Sequence, residues 1–160
     1  MAKYRQRPYT TWKTGGWLTV TDGNITDYDQ VEADIIALCQ TSGIREVAYD
    51  KHSAQQMALH LEGKGITCVD TPQGFGLNEA LNNVADIAVT GRLVHDGNPI
   101  MDWHAANAVV RKGTRGDIRL DKERASDKID GIAALVMANS RAIVQMDMAS
   151  VYDDRGVVVF

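Results

Sequence analysis

The chain has 160 residues, 44% hydrophobic and 24% charged, a balance that suits an ordinary globular protein with one core, so one domain over 1–160 is expected. No apolar run approaches the roughly 20 residues needed to cross a bilayer, and the opening ten residues are too polar for a secretory signal, which excludes membrane and secreted classes and points to an intracellular protein. The formal net charge of −4 speaks against general nucleic-acid affinity but hides a local excess, because seven of the seventeen basic residues lie between Arg111 and Lys128 against four acids.

In chain order, residues 1–16 carry Arg, Lys, Thr and a Gly pair without apolar period and read as an arm or edge segment. Trp17 to Val20 predicts a short strand closed by the Asp22-Gly23 turn. Asp27 with Gln30 resembles a capping box before a helix carrying Val31, Ile35, Leu38 and Cys39, which Gly43 ends. Ile44 to Tyr49 reads as a strand running into Asp50, residues 52–62 as a helix, and Gly65 to Val69 as a second strand. A Pro72 to Gly76 loop leads to a helix through Leu77, Leu81, Val84 and Ala88, and Leu93 to His95 predicts a short strand. Asn98 before Pro99 starts another helix, and Gly113 to Gly116 joins two strands as a hairpin. The last helix is expected from about Ser126 to Met146, with an apolar tail at 156–160. Strands alternating with amphipathic helices, plus hairpins, predict an α/β fold with a mixed sheet. Cys39 and Cys68 lie in apolar stretches outside any CxxC pair and are expected as buried free thiols.

Asp50 closes a strand, where ligands gather in open α/β sheets, but it also precedes a helix and is equally placed as its cap. Asp130 lies in the first turns of the last helix beside Ile129, on a face shared with Asp127 and Ala134. An acid at a helix start also favours the macrodipole, which accounts for Asp127 more easily than for Asp130. Two carboxylates from different elements with cations nearby suit a hard divalent cation that bridges phosphate oxygens. Arg111, Lys112, Arg115 and Arg119 on the hairpin, followed by Lys122 and Lys128, form either a plain solvated face or a grip on phosphates. His95 is expected to bond a backbone carbonyl. The histidines show no zinc spacing, and there is no P-loop, no dinucleotide fingerprint and no GxSxG, so nucleotide binding and nucleophile-based hydrolysis have no support.

Several motifs in order carry a resemblance. His95-Asp96-Gly97-Asn98-Pro99, Trp103, Asn107, Gly116 to Lys122 and Lys128 to Leu135, preceded by Thr21-Asp22-Gly23-Asn24, Asp27-Tyr28, Ala48-Tyr49-Asp50 and Gln73-Gly74, resemble the C-terminal part of HK97-like phage terminase large subunits over about residues 9–155. The resemblance implies a ribonuclease-H-like fold, a mixed sheet flanked by helices, that cuts concatemeric viral DNA with two Mg²⁺ or Mn²⁺ ions. It implies Asp50 and Asp130 as metal ligands, Asp127 as an auxiliary one, and the basic hairpin as a contact to double-stranded DNA. An ATPase domain, a small terminase subunit and a portal are the implied partners of the full-length protein, in the host cytoplasm. In that family the first metal-binding Asp lies on a strand upstream of the Trp17 strand, and no counterpart stands here. The sheet is therefore expected to lack its first strand, with edge-to-edge dimerisation as one consequence. Two rival readings remain: a non-catalytic fragment or prophage remnant that keeps the fold and its DNA or procapsid contacts, and a small flavodoxin-like binding domain.

Overall fold

Two short runs of apolar residues, each closed by an acid, form the parallel pair on which the site is built. The computed structural model describes residues 7–154, so the expected tail at 156–160 and the first six residues of the arm lie outside the described residues. Strand β1 (Glu46–Tyr49) pairs in parallel with β2 (Thr67–Asp70), Tyr49 standing opposite Asp70. The crossover between them is a helix (Lys51–Gly63), and a longer one (Tyr28–Ser42) precedes β1. A third, the short helix Tyr9–Thr14, opens the described chain. In chain order these helices are α1 (Tyr9–Thr14), α2 (Tyr28–Ser42) and α3 (Lys51–Gly63).

After β2 a single 3₁₀ turn leads into α4 (Asn78–Val89), followed by α5 (Pro99–Asn107). The hairpin of β3 (Val110–Lys112) and β4 (Ile118–Leu120) is antiparallel, and α6 (Asp130–Asp154) closes the described chain. The fold is mixed α/β, with the parallel pair and the hairpin hydrogen-bonded as two separate two-stranded sheets. Among the described residues no helix is long and apolar enough to cross a membrane.

Local chemistry explains most boundaries. Asp27 caps α2 by accepting from the amides of Asp29 and Gln30, while the Gln30 side chain turns forward to Asp34, so only half of the capping box forms. Gly43 ends α2 at a positive φ of 62°, a conformation that suits glycine. Asn98 Oδ1 caps α5 through the Ile100 amide at 2.9 Å.

Four expectations are corrected. The arm is helical at Tyr9–Thr14, where Trp12, 5% exposed, packs on Trp103 with ring centroids 5.2 Å apart. Trp17–Val20 forms no strand, because the Trp17 amide already closes α1 by donating to the Trp12 carbonyl at 2.9 Å. Leu93–His95 forms none either, the amides of Arg92 and Leu93 both donating to the Ile87 carbonyl at the end of α4. Helix α6 begins at Asp130 rather than Ser126, since residues 126–129 are tied down as a loop, and it runs on to Asp154 rather than ending at Met146. The thiols of Cys39 and Cys68 are free but half-buried.

The core forms where α4 meets α6. Ala80, Leu81 and Val84 surround Val136, which is 1% exposed, and Leu120 and Ile118 close it from the hairpin. A charged bolt joins α6 to β1: Arg141 Nε donates to Glu46 Oε1 at 2.6 Å and Nη2 to Oε2 at 3.4 Å. Those hydrogen bonds hold the Glu46 carboxyl below its ordinary range, against the opposing effect of desolvation. A depressed folded-state value means that the contribution is fully present above the ordinary glutamate range and is lost as pH falls through the lowered value. Glu46→Gln is therefore expected to cost about 1–2 kcal/mol at pH 7. Thermal melts should show that difference shrinking toward zero in strong acid.

Candidate metal and DNA site

Asp50 directly follows β1 and serves as the cap of α3: its Oδ1 accepts from the His52 amide at 3.1 Å. Among the described residues that is the single hydrogen bond to its carboxylate. The cap thus engages Oδ1, and among the described residues no hydrogen bond reaches Oδ2. Asp130 is the first residue of α6, exposed, with Lys122 Nζ 3.8 Å from its Oδ1.

Asp50 and Asp130, far apart in sequence, line one open cavity of about 600 Å³. Its apolar walls come from β1, α3 and α6, and His52, Gln73 and Lys122 complete its polar lining. Cys68 also lines it, the thiol pushed up by burial and so kept protonated. The donors beside that thiol are hard carboxylate oxygens.

Asp127 stands apart from the two acids. Arg7 grips it through two contacts, Nε to Oδ2 at 3.0 Å and Nη2 to Oδ1 at 2.7 Å, and it does not line the cavity. The Arg7 hydrogen bond holds its carboxyl below the ordinary range. Among the described residues no group of three His, Cys, Asp or Glu side chains is arranged to hold a metal ion.

The basic residues divide in the same way. Arg111, Lys112 and Arg115 are exposed on the hairpin, and Lys128 is exposed two residues before Asp130. Arg119 sits opposite Arg111 in the ladder, but its guanidinium lies 5.1 Å over the Phe75 ring and its Nε is buried without a hydrogen-bond partner among the described residues. That side chain anchors the hairpin rather than reaching into solvent. His95 accepts from the Gly97 amide through Nδ1 at 3.2 Å, and among the described residues the expected bond to a carbonyl is not found.

Two features escaped sequence reasoning. Asp70 ends β2 beside the Tyr49–Asp50 junction, and its Oδ1 accepts from the Lys51 amide at 3.3 Å, which ties the two strand ends together. The signal was available, since Asp70 closes a Cys-Val strand as Asp50 closes a Val-Ala-Tyr one. His104 and Asn107 on α5 hold the segment around Asp130, and no local pattern announces such tertiary contacts.

Residues 1–145 match the family model described as "Terminase large subunit, endonuclease domain". The chain is 31% identical over 139 residues to the "Terminase, large subunit" of Enterobacteria phage HK97, covering 85% of this chain and 28% of that protein. It is 32% identical over 139 residues to "Protein YmfN" of Escherichia coli (strain K12), covering 85% of this chain and 30% of that one. The crystal structure of the HK97 bacteriophage large terminase superposes with a TM-score of 0.78 at 30% identity, over 87% of this chain and 30% of that chain. The large terminase nuclease from thermophilic phage G20c superposes at 0.57 over 74% of this chain and 64% of that one, a likeness of fold alone at 20% identity. The present chain thus spans less than a third of the length of these curated relatives. Its mixed α/β arrangement is the ribonuclease-H-like one of terminase nuclease domains. By the match of its first 145 residues, the chain belongs to the endonuclease-domain family of terminase large subunits.

Proposed function

We propose that the chain is a Mg²⁺- or Mn²⁺-dependent DNA endonuclease module of a viral DNA-packaging terminase, with Asp50 and Asp130 as cation ligands. The observation that supports it most is that those two acids, from opposite halves of the chain, both line one cavity, with Lys122 at 3.8 Å from Asp130. The donor set fits the ion: Mg²⁺ takes one or two carboxylates, keeps several waters and completes its shell with substrate phosphate oxygens. When bound, the cation supplies an activated water and neutralises the charge that builds up in phosphodiester cleavage. Asp50 and Asp130 hold and orient, while Lys122 offsets charge on a phosphate oxygen at the cavity mouth. Arg111, Lys112, Arg115 and Lys128 grip the duplex backbone.

On this reading double-stranded DNA is the substrate. An ATPase domain, a small terminase subunit and a portal are the partners in the host cytoplasm, and the open edges of the two-stranded sheets allow an edge-paired dimer. A second reading, a module that keeps the fold and DNA contacts without cutting, draws support from the lack of a three-ligand cluster among the described residues.

Incubating the chain with supercoiled plasmid and Mn²⁺ separates the two. Nicking that stops on adding chelator supports the nuclease, and intact plasmid with no Mn²⁺ uptake in calorimetry supports the silent module. For the DNA grip, Arg115→Ala and Lys122→Ala are each expected to weaken duplex binding and to flatten its logarithmic salt slope by about one. A slope unchanged in both variants would return these side chains to plain solvent.

A further inference from the structure

Helix α6 starts without a cap of its own. The residue before Asp130 is Ile129, apolar and 2% exposed, so it offers no side-chain oxygen to the free amides of the first turn. The Gly131 amide donates instead to Nδ1 of His104, at 3.0 Å, an acceptor supplied by α5. An imidazole that accepts at Nδ1 carries its proton on Nε2. The approach requires glycine at 131, where a Cβ would stand 2.6 Å from His104 Nδ1 and 2.5 Å from Met101 Sδ.

The ring is held in place. Trp103 packs on His104 with centroids 5.2 Å apart, and Trp12 packs on Trp103 in turn. One turn further along α5, Asn107, 7% exposed, accepts from Ser126 Oγ at 2.8 Å and donates to the Lys128 carbonyl at 3.4 Å. Helix α5 therefore grips the chain on both sides of the Ile129–Asp130 junction.

We propose that His104 is a positioning residue for the Asp130 carboxylate: by accepting the Gly131 N–H it sets the first turn of α6, and with it the oxygen geometry that Asp130 offers to a divalent cation. This rests on the reading of Asp130 as a cation ligand. Groups that orient a metal ligand without touching the metal change affinity about 10- to 100-fold when removed.

The test is calorimetric titration with MnCl₂ of the full chain and of His104→Leu, His104→Asn and His104→Gln, each at a temperature where circular dichroism shows the fold intact. Asparagine keeps an acceptor oxygen near the place of Nδ1, glutamine carries it one bond further out, and leucine has none. The wild type and the Asn variant are expected to bind Mn²⁺ within about threefold of each other, and the Leu and Gln variants about tenfold more weakly. Equal affinity in all folded variants overturns the positioning role and leaves the cation reading standing. The Asn variant binding as weakly as the Leu variant overturns the role as well. No Mn²⁺ binding by the wild type overturns both. If the Leu variant does not fold, the contrast between Asn and Gln decides.

Discussion

Asp50→Asn and Asp130→Asn are each expected to lower Mn²⁺-dependent plasmid cleavage by about a hundredfold or more, because losing a charged ligand forfeits several kcal/mol of cation binding and charge stabilisation. The choice of asparagine separates the cap that Asp50 forms from the ligand role proposed for it. Asparagine caps a helix about as well as aspartate, so the bond to the His52 amide and the start of α3 survive while the ligand charge is lost. At Asp130 the substitution removes a favourable interaction with the helix dipole, worth about 0.3–1 kcal/mol at an exposed position, and the weak pairing with Lys122. Both variants should therefore melt close to the wild type while cleavage disappears. Cleavage retained in either one would remove that carboxylate from the site.

Leu81→Ala is expected to cost about 3 kcal/mol, and thermal unfolding should record it as a midpoint lowered by roughly 6–12 °C. Leu81 is 7% exposed and packs with Ala80, Val84 and Val136 at the crossing of α4 and α6. A small cavity of about 30 Å³ already lies beside it, lined also by Leu77, Leu120 and Val136. Truncation enlarges that void rather than letting the walls collapse, because the hairpin and both helices converge there. A midpoint within about 2 °C of the wild type would show that this crossing repacks freely.

The parts legible in the sequence are those whose causes are local. Strand β1 showed as an apolar run ended by an acid, β2 as a second apolar run, and the start of α5 as Asn98 before Pro99, with the Asn98 side chain bonding the Ile100 amide. Asp50 and Asp130 were legible as acids at the ends of elements, and their convergence on one cavity is a tertiary fact. What misled was apolar composition without a partner. Trp17–Val20 and Leu93–His95 have strand-like residues, yet amides beside or within them are spent on closing the preceding helices. The basic hairpin read as one uniform face until Phe75, from a distant loop, took up Arg119. Asp127 likewise stood as an auxiliary partner of Asp130 until Arg7, from the other end of the chain, claimed it.

Helix α6 is pinned at three heights: its first turn by His104, its second by the burial of Val136, and a third point by Arg141 reaching Glu46. A spar fastened in this way cannot fray from the acid-bearing end without opening the hydrophobic centre of the molecule. The backbone amides from Ala133 to Met137, whose helical hydrogen bonds begin at the Ile129 carbonyl, are then expected to trade their protons for deuterons only when the whole molecule comes apart, so the start of the helix is as durable as the domain that carries it.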